Sequence, residues 1–243
     1  MARFNIEFLT KSLMRRVEFN LYIPSLSLQG AIRSEKNYYQ NNNKKFPLII
    51  LLAGFGDSYR AWQSNTHIEE LCDRYQVAAC CIGGDNRWYL DLGPMDSWYS
   101  FLENDLTDYL YGTFNNLDPN MPLILGGVSM GGYGTLYHSL KENKKYSAAF
   151  ALSPAVKPDF LDESKFGSLR ELFLENKDNL VPTYLSVGSE DFIIKQSLEL
   201  DSWLQQNNIG VRYKVVDGFD HSYKLWRLEL ENVFQFLKEK EII

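Results

Sequence analysis

The chain has 243 residues, of which 45% are hydrophobic and 23% charged. That balance excludes a disordered chain, which lacks the apolar content to offset ordering entropy, and equally a collagen-like or disulfide-stapled mini-protein. Lys and Arg number 25 against 31 Asp and Glu, and the nearest thing to a basic cluster, Lys141, Lys144 and Lys145, is interrupted by Glu142 and Asn143. It reads as a helix end, where cations suit the negative pole of the dipole, so a nucleic-acid partner is not expected. The aromatic share is 14%, with 15 Phe, 15 Tyr and 5 Trp. It is enough to fill a core and leave rings for a pocket.

The first residues, Met1 to Glu7, contain no apolar signal core, and no stretch reaches the ~18 to 20 apolar residues of a membrane span. The expectation is a cytoplasmic protein with no membrane partner. Residues 4–9 and 15–23 read as an antiparallel pair, because Val17, Phe19, Leu21 and Ile23 alternate. A polar surface loop over Asn37 to Lys45 precedes the run Leu48 to Ala53, whose continuous apolar character suits a strand covered on both faces. A helix is expected at about 60–74, with His67 on its solvated face. The strand Val77 to Ile82 carries Cys80 and Cys81. Three cysteines, Cys72 included and two of them adjacent, make no disulfide framework and read as buried structural thiols.

Further along, a helix is expected over 98–115, a strand at Leu123 to Val128, and a helix over 131–143 that contains His138 as a structural or surface residue. Strands at Ala148 to Leu152, Thr183 to Val187 and Val211 to Val216 alternate with helices over 193–207 and 222–239. In the last helix Leu225, Leu228, Leu230, Val233, Phe234 and Leu237 recur at near-helical spacing. Two opening strands followed by six mainly parallel ones predict an eight-stranded α/β sheet with helices on both faces, in one domain spanning 1–243.

The strongest chemical signal is Gly127-Val128-Ser129-Met130-Gly131, placed between a predicted strand and a predicted helix. Small residues two before and two after the serine permit a sharp strand-to-helix turn, which lifts the hydroxyl out of the sheet as a nucleophile. A serine needs a base, and there are three histidines. In folds with such an elbow the order along the chain is serine, acid, histidine. His221, just after the last strand, fits that order. The acid is expected after the preceding strand, in Gly188-Ser189-Glu190-Asp191. Glu190 and Asp191 both qualify, and Asp191 is favoured, although it could equally cap the following helix. Asp217 and Asp220 are sequence neighbours of His221, and a neighbour rarely reaches round to the imidazole. Two backbone donors are needed for an oxyanion: the N–H of Met130 and, from the turn Gly54-Phe55-Gly56, the N–H of Phe55. Trp88, Tyr89 and Trp98, near the loop after the fourth strand, are candidate substrate-binding walls.

On these residues the chain resembles the tributyrin-esterase and esterase D group, which includes S-formylglutathione hydrolases and carbohydrate esterases. The carrying segments are Leu51 to Gly56, Arg87 to Asp91, Gly127 to Gly134, Gly188 to Phe192 and His221 to Trp226, in the family's order. The resemblance implies an α/β-hydrolase fold, a triad of Ser129, Asp191 and His221, and oxyanion donors at Phe55 and Met130. Three departures stand out. Ala53 replaces the histidine usual before the first oxyanion glycine. Gly83-Gly84-Asp85-Asn86 replaces a proline followed by aspartate or asparagine. The segment between Ser153 and Val181 is short, so a reduced cap and an open site are expected.

The expected activity is hydrolysis of short-chain acyl esters through an acyl-enzyme, with a small-molecule ester as partner and no cofactor or metal. Homo-oligomerisation is compatible with the sequence. The rival readings are a thioesterase of the S-formylglutathione type, a sugar-acetyl esterase and a non-catalytic hydrolase-fold binding protein.

Overall fold

The computed structural model describes residues 1–26, 28–33, 43–158, 161 and 163–243, so most of the polar stretch expected at Asn37 to Lys45 lies outside the described residues. Eight strands build one sheet: β1 (Ala2–Thr10), β2 (Arg15–Ile23), β3 (Leu48–Leu52), β4 (Ala78–Ile82), β5 (Leu123–Val128), β6 (Ala148–Leu152), β7 (Thr183–Gly188) and β8 (Arg212–Val216). Their spatial order is β1-β2-β4-β3-β5-β6-β7-β8. β2 runs antiparallel to both β1 and β4, and all other pairings are parallel. The expected mostly parallel eight-stranded α/β sheet is therefore present. Parallel pairing puts the C-terminal ends of β3 to β8 along one edge, where their loops gather.

Helices cover both faces: α1 (Ile68–Tyr75), α2 (the run Trp98–Ser100, Phe101–Leu106 and Thr107–Thr113), α3 (Met130–Lys141), α4 (Leu169–Glu175), α5 (Ile194–Gln206) and α6 (Tyr223–Glu239). Side chains alternate between faces along a strand. Leu48, Ile50 and Leu52 thus join a core with Phe101, Leu106, Leu136 and Leu200, from α2, α3 and α5. Ile49 and Leu51 join a second core with Leu71, Leu225, Leu230 and Phe234, from α1 and α6. Because both faces are covered, β3 has no polar residue. Cys72, Cys80 and Cys81 are free and buried, and burial pushes all three thiols up.

The structure departs from expectation at several elements, α4 among them, where no helix is expected. The helix expected at 60–74 is two helices, Ala61–Asn65 and α1. Thr66 sits between them in an extended conformation. Its hydroxyl donates to Trp62 O (2.5 Å) and accepts from the Ile68 N–H (3.3 Å), ending one helix and starting the next. A short ribbon pairs Asp91–Gly93 with Asp96–Ser97. Finally, the middle of α2, Phe101–Leu106, is a π-helical turn.

That π turn carries Glu103, which is 9% exposed. The fully buried His138 places Nδ1 2.5 Å from Glu103 Oε1 and Nε2 2.7 Å from Tyr89 O. Tyr146 donates to Oε1 (2.7 Å), and Lys145 reaches in to Oε2 (2.8 Å) rather than simply ending a helix in solvent. His138 is thus structural and not a surface residue. Burial acts to raise the Glu103 pKa, but the bond to His138, its charge and that of Lys145 outweigh burial and lower it. A carboxylate lowered on folding adds stability above its unfolded value of 4.5 and loses it as the pH falls through the folded value. Removing one partner of such a buried pair costs roughly 3 kcal/mol or more. Glu103→Gln should therefore lower the thermal midpoint at pH 7 by about 6 to 12 °C. The gap to the parent should narrow as the pH is brought below 4, which scanning calorimetry over a pH series will read.

Candidate functional site

β5 ends at Val128 and α3 begins at Met130, so the whole reversal falls on Ser129, with φ 55° and ψ −116°. A side chain rarely occupies this region, and the surrounding structure must hold it there. The two flanking glycines make the reversal sterically feasible. A Cβ on Gly127 would lie 2.2 Å from Gly131 O, and one on Gly131 would lie 2.4 Å from Leu52 O. The end of β6 does the holding: Ser129 N–H donates to Leu152 O (3.0 Å), and Ser129 O accepts from the Tyr133 and Ala155 N–H groups (3.0 and 3.1 Å).

Asp191 follows β7 and His221 follows β8, on the same sheet edge as Ser129. His221 Nδ1 lies 2.9 Å from each Asp191 carboxylate oxygen. Asp191 is almost wholly buried and also accepts the Ile193 N–H at 3.0 Å. It therefore supports the start of α5 and the imidazole together. Burial alone would raise its pKa, but bonds from His221, the Ile193 N–H and the Ser153 hydroxyl outweigh burial and lower it. The competing acids are engaged elsewhere or exposed. Asp217 accepts from Ser189 (3.2 Å), Asp220 accepts from Ser222, and Glu190 faces solvent. The His221 ring sits between Phe192, at 4.5 Å between centroids, and Trp226, at 5.1 Å edge to face. His67 is not on a solvated face: its side chain is 16% exposed, with Nε2 3.2 Å from Glu231 Oε1.

The loop after β3 lies against the serine elbow, since a Cβ on Gly54 would be 3.5 Å from Ser129 Cβ. Phe55 follows Gly54 in a turn closed by Asp57 N–H to Gly54 O (3.2 Å). Met130 N–H is at the first helical position, where no intrahelical acceptor exists. Three ties hold the loop in place. Tyr89 donates its hydroxyl to Ala53 O (2.9 Å), Gly56 N–H donates to Asn86 Oδ1 (2.7 Å), and Tyr223 donates to Asp57 Oδ2 (2.8 Å).

Two of the three expected pocket walls are corrected. Tyr89 is fully buried, with its hydroxyl committed to Ala53, and Trp98 is 2% exposed, packed against Tyr89 and Phe101 under the Arg15 guanidinium. Both rings are core. Trp88 keeps a sliver of surface and meets Tyr133 edge to face. Large apolar faces that reach solvent beside these residues include Phe55 (64% exposed), in the turn after β3, and Phe192 (78%), against His221. Phe55 was singled out only for its backbone. Phe192 is named only as the end of the segment Gly188 to Phe192, although a bulky ring directly after Asp191 is a signal for a pocket wall. Tyr223 and Asn86 are named only within longer segments, and their ties to the turn after β3 have no local signal. Among the described residues no group of three or more His, Cys, Asp and Glu is arranged to hold a metal ion, and no helix is long and apolar enough to cross a membrane.

Comparisons with known proteins agree with this architecture. An acetyl esterase from Caldicellulosiruptor saccharolyticus is 24% identical over 98% of this chain and 99% of its own. Solved structures that share the fold include the following two. S-formylglutathione hydrolase from Staphylococcus aureus has a TM-score of 0.81 at 18% identity, covering 97% of this chain and 98% of that one. The fluorophosphonate-binding serine hydrolase F of Staphylococcus aureus has a TM-score of 0.80, also at 18% identity, with the same coverage. The model of the family described as "Putative esterase" matches residues 12–237. With that match spanning nearly the whole chain, and with the sheet and serine elbow described above, the chain belongs to this esterase family and has the α/β-hydrolase fold.

Proposed function

We propose that the chain is a serine carboxylesterase that hydrolyses short-chain acyl esters through an acyl-enzyme. The observation that carries this reading is the Asp191–His221 pair at 2.9 Å, on the sheet edge where Ser129 is held in its strained elbow. In the first half-reaction His221 Nε2 takes the Ser129 proton as Oγ attacks the ester carbonyl. The negative charge that develops on the carbonyl oxygen is received by the N–H groups of Phe55 and Met130. Collapse breaks the bond to the alcohol, which leaves with the proton from His221. Water then enters, gives its proton to His221 and attacks the acyl-enzyme. The acid leaves, and the proton returns to Ser129. Asp191 remains a carboxylate throughout, holding the tautomer and stabilising the imidazolium.

A small acyl group agrees with the acetyl esterase relative and with the little chain available for a cap. Among the described residues, 153–181 contains only the short helix Glu163–Phe166 and α4. Phe55 and Phe192, with the edge of Trp88, supply the apolar surface for the ester.

Two measurements test this reading. Chromogenic acetyl and butyryl esters should be turned over by the parent, and Ser129→Ala should lose about 10⁴- to 10⁶-fold in kcat. Equal rates in the two would remove the proposal. Tyr223→Phe deletes the tie to Asp57 and loosens the oxyanion loop while leaving Ser129, Asp191 and His221 in place. It should lower kcat about tenfold and change KM little, because the lost order matters most where charge develops. An unchanged kcat would show that the loop holds without that tie.

A further inference from the structure

Two aromatic rings flank His221, and only one of them is free to meet a ligand. Trp226, edge to face with the imidazole at 5.1 Å, is 5% exposed and belongs to the core under α6. Phe192, at 4.5 Å between centroids and tilted by 50°, keeps most of its surface in solvent. A single exposed apolar side chain needs no explanation by itself. What sets Phe192 apart is that its exposed ring is laid against the imidazole and that its backbone is fixed there. Asp191 N–H donates to Gly188 O (3.2 Å), Asp191 O accepts the Ile194 N–H (3.0 Å), and Asp191 Oδ1 accepts the Ile193 N–H (3.0 Å). The turn that carries Phe192 is therefore bonded on both sides. The same Asp191 carboxylate meets His221 Nδ1 at 2.9 Å, so one residue sets ring and imidazole relative to each other.

The chemistry of the imidazole says what lies beside that ring. Nδ1 faces Asp191, which leaves Nε2 for proton transfer. In the proposed first half-reaction Nε2 gives its proton to the oxygen of the departing alcohol, which must come within roughly 3 Å of it. The carbonyl oxygen is directed elsewhere, to the backbone donors. The part of the ester next to the imidazole is thus the alcohol, and the wall it meets is Phe192. An exposed phenyl ring offers a flat apolar face, on which a second aromatic ring packs offset or edge to face. Asp217 and Asp220, from the loop that carries His221, are bonded to Ser189 and Ser222. Their carboxylates are engaged, so this wall presents a hydrophobic face rather than a set of partners for hydroxyl groups.

We propose that Phe192 forms a leaving-group subsite and selects esters whose alcohol carries an aromatic ring. The inference deepens the esterase reading and rests on it, since it takes His221 as the proton donor to the alcohol. Preference for a small acyl group and preference for a ring-bearing alcohol are then separate properties of the site. All acetyl esters pass through the same acetyl-enzyme, so the ring acts on its formation and is read in kcat/KM.

The test compares benzyl acetate with ethyl acetate, which share the acyl group and release alcohols of similar acidity. In Phe192→Ala the ratio of kcat/KM for benzyl over ethyl acetate should fall about five- to tenfold. The ratio for ethyl butyrate over ethyl acetate should stay within about twofold of the parent value. Phe192→Trp should restore the benzyl preference, and Phe192→Leu, apolar but without a flat face, should not. An equal fall for all three esters would mean that Phe192 only supports His221. A fall confined to the butyrate ratio would put the ring on the acyl side. Either result overturns the proposal, as does an unchanged benzyl ratio or a larger loss on an acetylated pyranoside than on benzyl acetate. Benzyl alcohol, titrated into the parent and Phe192→Ala and followed at the His221 ring protons by NMR, gives a reading without turnover. Its Kd should weaken about five- to tenfold in the variant, and an equal Kd in the two overturns the proposal. If the parent hydrolyses no ester the esterase reading fails, while the titration still decides the subsite.

Discussion

The site is organised around the backbone of one residue. Ser129 reverses the chain from strand to helix at φ 55°, and the packing round this reversal leaves no room for a side chain at Gly127, against Gly131 O, or at Gly131, against Leu52 O. A conformation of that kind costs on the order of 1 to 3 kcal/mol and persists only where neighbours over-determine it. Here the neighbour is the end of β6. Leu152 O takes the Ser129 N–H, and Ala155 N–H returns to Ser129 O. Between these two residues lies Ser153, itself at positive φ, with its hydroxyl accepting the Trp226 indole N–H. The strand next to the elbow therefore holds Ser129 through its backbone, and one short turn at its end makes both bonds.

The loop after β3, proposed to carry an oxyanion donor, shows a different solution to a similar problem. Relatives in the resembling group usually have a histidine where this chain has Ala53. The loop here is held from outside itself, by Tyr89 beneath it, Asn86 beside it and Tyr223 from the first turn of α6. Tyr89 O also accepts from His138, whose other ring nitrogen faces Glu103. The loop is thus bonded, through Tyr89, to a buried charged cluster in the π turn of α2. Charge inside the fold and order at the site are parts of one connected arrangement.

The features legible in the sequence were those carried by local pattern. Glycine spacing around Ser129 reports a steric requirement of a few consecutive residues. Apolar runs such as Leu48 to Leu52 report burial on both faces, and the order of strands and helices gave the sheet its class. What stayed hidden depends on partners far apart in the chain. Tyr89 and Trp98 looked like pocket walls because they are aromatic and lie near a loop, but an aromatic ring carries no sign of which way it faces. The Thr66 hydroxyl, not hydrophobic periodicity, broke the first long helix. Ser153 is a common residue after a strand, and the bond it accepts from Trp226 spans 73 positions. No local pattern encodes such a contact.

The three cysteines, set aside as structural, also bear on how the chain reacts with electrophiles. They lie within the sheet and α1 with no exposed surface, and burial disfavours the thiolate that would react. In the folded state no cysteine competes for an acylating or phosphonylating reagent. Covalent modification that resists thiol-directed quenching can then be traced to an activated hydroxyl. The apolar interior that stabilises the sheet also gives the protein a clean chemical background, against which labelling of the proposed nucleophile Ser129 can be counted.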